Sequence, residues 1–135
     1  PPALLHEPWK DEALLKRNPD AIPLINNVAF LRSKAGKPGA RELAERGLKL
    51  KPDDSAMRDT YATVLANEKA FDKAISLQRQ LVSDQPDQPG YRLNLAQILI
   101  QSGDKAAAKA ELEGLAKLGP KFAQQKQVEA LLKSL

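Results

Sequence analysis

The stretch Ala62–Pro86, ATVLANEKAFDKAISLQRQLVSDQP, carries landmarks that return at one spacing along the whole chain. Its closing proline belongs to a series: Pro19, Pro52, Pro86 and Pro120 stand 33, 34 and 34 residues apart. Its first alanine does the same, since Ala29, Ala62 and Ala96 are separated by 33 and 34, and Ala40, Ala74 and Ala108 by 34 and 34. Three phased sets outweigh coincidence, and self-similarity at such a period is the signature of a repeat architecture.

Each landmark has a mechanical reason. An alanine in the middle of a helix lets two helix backbones approach, where a larger side chain overpacks the contact at a cost of about 1–3 kcal/mol. Proline lacks an amide donor and disfavours helix in the residue before it, so it ends a helix and re-aims the chain. Gly36 and Gly103 stand one period set apart and suit the tight turn inside a hairpin. Lys69 takes the glycine's place in the middle unit, which predicts that Asn67 or Glu68 ends that helix instead.

Small residues at two phased places, with a proline closing each unit of about 34 residues, resemble the tetratricopeptide repeat. The resemblance implies an all-α fold: a right-handed superhelix, or α-solenoid, of three helix-turn-helix repeats at residues 21–53, 54–87 and 88–120. Residues 1–20 become a tail plus the remnant second helix of an upstream repeat, and residues 121–135 a capping helix. One departure stands out: Arg58 and Arg92 occupy the place of the family's large aromatic, which reads as a loosened groove edge or a polar contact.

Composition agrees with helices. Alanine, leucine, lysine, glutamate and glutamine dominate, and β-branched residues are few. Aromatic residues make up 4%, too few for a nucleic-acid stacking surface, so no nucleic-acid partner is expected. With no cysteine there is neither a disulfide framework nor a thiolate metal site. No run approaches the roughly 18 apolar residues of a membrane span. The opening Pro1-Pro2 lacks an initiator methionine and reads as a cut end.

Taken in order, residues 1–6 have no periodicity, and Glu7–Arg17 opens with a proline and early acids. Trp9, Ala13 and Leu14 are expected to share a face there. The first unit should hold helices at Pro23–Ala35 and Ala40–Leu50 around the loop GKPG. The second should hold helices at Asp54–Asn67 and Phe71–Ser83, with Tyr61, Leu65, Phe71, Ile75 and Leu81 as core. The third should hold Gly90–Ser102 and Lys105–Lys117, with Leu95, Ile98, Leu99, Leu112 and Leu115 inside. The last segment turns Phe122, Val128, Leu131, Leu132 and Leu135 to one side and its lysines and glutamines to the other, as a terminal helix with one wet face requires.

Catalytic constellations are hard to assemble. The single histidine, His6, lies in the tail with no serine beside it. Asp53-Asp54 and Asp84–Asp87 fall at turns and helix starts, where carboxylates cap. Gly36-Lys37 lacks the pattern and the strand of a phosphate loop. The expectation is a non-enzyme with no cofactor and no metal.

The formal charge is +4, and between Arg32 and Lys51 seven bases (Arg32, Lys34, Lys37, Arg41, Arg46, Lys49, Lys51) meet only Glu42 and Glu45. Glu42–Arg46 and Glu45–Lys49 are spaced as helical i,i+4 pairs, so a solvated helix face accounts for the patch. The functional alternative is attraction for an acidic glycan or an anionic membrane surface.

What the tetratricopeptide resemblance implies for function is a concave groove lined by the first helices, which in that family reads extended or helical peptides. In register, the groove residues are Asn26, Asn27, Phe30 and Lys34; Asp59, Thr60, Thr63 and Asn67; and Leu93, Asn94, Gln97 and Gln101. An asparagine amide both donates and accepts, so Asn27 and Asn94 suit a peptide backbone. The equally simple alternative is a tolerated polar residue on an exposed helix. The carboxylate clamp of heat-shock cochaperones is not expected, because its places hold Asn26, Phe30, Thr60, Gly90 and Asn94, without cations.

Over residues 18–135 the strings NPDAIPLINNVAFLRSKAGKPGARELAERGLKLKPDD, LNLAQILIQSGDKAAAKAELEGL and ALLKSL resemble the C-terminal end of bacterial tetratricopeptide-repeat lipoproteins of PEP-CTERM/exosortase systems. This resemblance implies a periplasmic scaffold in exopolysaccharide export that binds a protein or peptide partner. A structural spacer, self-associating through Trp9 and Leu14, is the alternative from another class.

Overall fold

The computed structural model describes residues 8–135, and among them are eight α-helices, one 3-10 turn and no strand. The helices are α1 (Pro8–Arg17), α2 (Ile22–Lys34), α3 (Ala40–Leu50), α4 (Ser55–Asn67), α5 (Phe71–Asp84), α6 (Pro89–Ser102), α7 (Lys105–Ala116) and α8 (Gln125–Ser134), with the 3-10 turn at Gly119–Lys121 before α8. His6 and the rest of the expected tail lie outside the described residues, as does the side chain of Trp9.

Local chemistry sets the ends. The Asp54 carboxylate accepts from the Met57 amide at 2.9 Å at the start of α4, and Asp104 accepts from Ala107 at 3.1 Å at the start of α7. Pro23 and Pro89 sit in the first turns of α2 and α6, where a missing amide costs no helical bond.

The hairpin turns repeat one device. Lys37 N–H donates to Arg32 O at 2.8 Å, Ala70 N–H to Leu65 O at 2.8 Å and Asp104 N–H to Leu99 O at 3.0 Å. The residue before each donor is left-handed: Gly36 at φ 71°, Lys69 at φ 65° and Gly103 at φ 91°. Lys69 therefore takes the glycine's conformation itself. The helix does not stop early to avoid it, because the backbone bond that closes the turn requires positive φ at that residue.

The chain forms two compact units, Pro1–Ala70 and Phe71–Leu135, dividing between α4 and α5. In the first unit α2 and α3 pair as a hairpin, α4 lies against both, and α1 lies against α2. Ala29, Ala40 and Ala62 are buried at the helix contacts, with Ile25, Val28, Met57, Val64 and Leu65 around them. Gly47 makes the closest approach: a Cβ there would stand 2.6 Å from Met57 Sδ and 3.2 Å from Ile25 Cγ2. On α1 the covered residues are Asp11 and Leu15. Ala13 and Leu14, expected on one face with Trp9, are exposed; the 11/15 register, not the 13/14 one, turns toward the core.

In the second unit Leu93 and Ala96 of α6, Leu112 and Leu115 of α7, and Phe122 and Val128 make one cluster, flanked by Leu131, Leu132 and Leu135. A second cluster joins Leu95, Leu99 and Ala108 with Ile75 and Val82 of α5. Each fully buried leucine contributes about 2 kcal/mol. Phe71 and Ile75, expected in the core, are only half-buried; α5 turns Ala74, Gln78 and Leu81 inward instead. Gln78 is fully buried, and its Nε2 donates to Tyr91 O at 2.9 Å, tying α5 to the start of α6.

Candidate interaction surface

The polar residues of the first helices divide between the two units. In the first, α2 and α4 run side by side and Asn67 Nδ2 donates to Ser33 Oγ at 2.8 Å, so the last turns of the two helices are joined. Asn27 and Phe30 are half-exposed on α2, Lys34 is exposed at its end, and Asp59 and Thr63 are half-exposed on α4. Asn27 has no hydrogen-bond partner among the described residues, so its amide is available. Asn26 differs: its Oδ1 is shut off from solvent with no partner among the described residues, and in this rotamer it offers a ligand nothing.

Thr60 is 4% exposed and Leu93 2% exposed, so neither lines an accessible surface. Their register faces the helix packing: Leu93 is a member of the α6–α7–α8 cluster, where its side chain loses contact with water altogether. In the second unit Asn94 and Gln97 are half-exposed and Gln101 exposed on α6. Asp59, Thr63, Asn67, Asn94 and Gln101 already engage other groups of the chain, and Thr63 Oγ1 bonds to Asp59 O at 3.0 Å.

The basic patch is partly neutralised, though not by the pairs that helical spacing suggests. Arg32 forks onto Glu12 of α1 with bonds of 2.8 and 2.7 Å. Arg46 reaches Asp20 at 2.7 Å and not Glu42; Glu45 pairs with Arg41 at 3.4 Å and not with Lys49. Arg41 also lies 3.6 Å from Glu68, and Lys51 lies 3.7 Å from Asp54. Arginines reach across to neighbouring segments because their forks find carboxylates already placed there. Lys34, Lys37 and Lys49 have no such partner among the described residues. The hydrogen bond from Arg32 holds the Glu12 carboxyl below the ordinary glutamate range, with the charges of Arg32, Lys37 and Lys16 assisting and burial opposing.

Arg92, at a position where the sequence suggested a polar contact, donates Nε to Glu111 Oε2 at 2.7 Å across the α6–α7 hairpin. Two clefts adjoin these charges. One, of about 580 Å³, lies between α1, α2 and the loop after α2, with Val28, Leu31 and Ala35 as its floor and Glu12, Arg32, Lys34 and Lys37 at its rim. The other, of about 310 Å³, has walls of Val82, Pro86, Pro89, Leu118 and Phe122 beside Arg92 and Lys121.

A sequence model of the tetratricopeptide repeat matches residues 65–132, half of the chain. The chain belongs to the tetratricopeptide repeat family. Tetratricopeptide repeats bind protein partners, and the all-α helical-repeat fold is that of the family. No curated protein matches this chain. The match begins at Leu65 and so takes in the Lys69 turn as well as the Gly103 turn.

Sequence reasoning did not single out Gln78 or Gly47. The register could have found both, because Gln78 stands where Ala44 and Leu112 are buried, and Gly47 where Leu81 and Leu115 are buried.

Proposed function

We propose that this tetratricopeptide repeat protein is a non-enzymatic adaptor that holds an extended or helical peptide against the polar faces of its first helices. The observation that carries the reading is the half-exposed, partnerless amide of Asn27, set on α2 beside α4 and the Asn67–Ser33 bond. Such an amide can pair with one backbone N–H and one backbone carbonyl of a peptide whatever its side chains. Asn94 holds the corresponding place on α6, 67 residues on. The strings at residues 18–135 further suggest an envelope scaffold of a bacterial exopolysaccharide system, located in the periplasm.

The test is a pull-down with the chain as bait, followed by peptide titration of the captured partner. Replacing Asn27 and Asn94 by alanine should weaken that peptide at least about tenfold, the loss of roughly two hydrogen bonds, with far-UV circular dichroism unchanged. Undiminished binding by the double variant would reject the assignment.

A second reading, contact of the basic region with an acidic glycan, is favoured by Lys34, Lys37 and Lys49, which no carboxylate neutralises among the described residues.

A further inference from the structure

The repeat register singles out one place where packing is incomplete. Five residues before each repeat proline stand Leu14, Gly47, Leu81 and Leu115. Gly47 is buried and Leu81 and Leu115 are 0% exposed, but Leu14 is 44% exposed. At Gly47 the cover comes from two sides, Met57 of α4 and Ile25 of α2. One repeat earlier, α2 stands to α1 as α4 stands to α3, and among the described residues no helix stands to α1 and α2 as α2 stands to α3 and α4.

The same vacancy shows on α2. Leu31 is half-buried, whereas Val64 and Ile98, its equivalents 33 and 67 residues on, are 0% and 1% exposed. Lys34 has Asn67 as its equivalent, and Asn67 is the residue that reaches α2 through Ser33. Lys34, Leu31 and Val28 line the 580 Å³ cleft. The cleft therefore lies on the side of α2 that corresponds to the α2-facing side of α4.

Charge selects the occupant. At the rim Glu12 is committed to Arg32, while Lys34 and Lys37 have no partner among the described residues. Lys16 and Arg17 are exposed on α1. A second copy would bring these cations together, and the only other terminal helix, α8, turns Lys126 and Lys133 outward. Like charges so placed repel, whereas an acidic face is attracted and oriented.

We propose that the cleft between α1 and α2 seats one acidic amphipathic helix supplied by a partner protein, which takes against α1 and α2 the place α2 takes against α3 and α4. Its apolar stripe covers Leu14, Leu31 and Val28, and its carboxylates meet Lys34 and Lys37. This seat is separate from the peptide-binding surface proposed around Asn27.

The experiment titrates the chain with a labelled synthetic helix as long as α2, carrying leucines at i, i+3, i+4 and i+7 with flanking glutamates, and with its isomer in which lysines replace the glutamates. Anisotropy should show saturable binding of the glutamate peptide alone. Lys34→Glu with Lys37→Glu should weaken it at least about tenfold, and so should Leu31→Gln, while Lys126→Glu with Lys133→Glu and Asn27→Ala leave it unchanged. Circular dichroism checks that each variant is folded. Equal binding of the lysine isomer, indifference to the Lys34/Lys37 reversal, or absence of saturation overturns the proposal. Loss on charge reversal with no loss in Leu31→Gln also overturns it, leaving a general polyanion surface. Light scattering that shows a dimer which the peptide cannot dissociate assigns the cleft to a second copy and equally overturns it.

Discussion

Lys69 holds a left-handed backbone at φ 65° that its equivalents assign to glycine. An L side chain there costs about 1–2 kcal/mol, partly offset by the extra freedom glycine has when unfolded. Lys69→Gly should therefore raise stability by about 0.5–1 kcal/mol, read as a higher urea midpoint at constant slope; a lower midpoint would show that the lysine side chain makes a contact worth more than the strain. Gly47 argues the opposite way. Alanine there gains about 1 kcal/mol of helix propensity, but its Cβ would lie 2.6 Å from the sulfur of the fully buried Met57. Overpacking of about 1–3 kcal/mol should win, so Gly47→Ala lowers the midpoint, and a stabilised variant would mean that α3 and α4 part easily. The need for glycine at Gly36 and Gly103 was legible in the sequence, because turn geometry is a property of the residue itself. That Lys69 would adopt it was not, because the lysine is disfavoured there locally and held by the hairpin around it.

At the scale of the element, α1 is joined to α2 by the Glu12–Arg32 fork. The folded-state value of Glu12 lies below the ordinary range, so the fork's contribution is complete at neutral pH and disappears as pH falls through that lowered value. Its side chains are 38% and 31% exposed, which limits the contribution to roughly 1 kcal/mol or less. Glu12→Gln should cost about that much at pH 7, and the difference from the parent should close in acid, followed by thermal melts across the pH series. A gap that stays constant down to strong acid would mean that glutamine loses packing and not charge. Helix ends were within one residue of expectation for α2–α7, since caps, prolines and periodicity act over one turn. Which face of α1 is covered was not legible, because Leu14 and Leu15 are equally apolar and only the neighbouring helix distinguishes them.

For the whole molecule, a formal charge of +4 and an isoelectric point near 9.4 predict attraction to polyanions. Arg32, Arg41, Arg46 and Lys51 are taken up by carboxylates, so the remaining exposed cations act by a screened field and not as a built site. Retention on a sulfated polysaccharide column should be lost by about 0.3 M salt, where the Debye length falls to about 6 Å. Retention beyond that would mean specific recognition of a glycan. The sequence by itself determined the period, the helical hairpins, the left-handed turns and the phased alanines, because each depends on residues within one or two turns of chain. Only the tertiary structure decided that Thr60 and Leu93 are buried, that Arg46 pairs with Asp20, that Gln78 bonds to Tyr91, and that α1 and α2 leave a cleft. Those outcomes depend on which distant side chain arrives at a given face, and local sequence spacing carries no record of that.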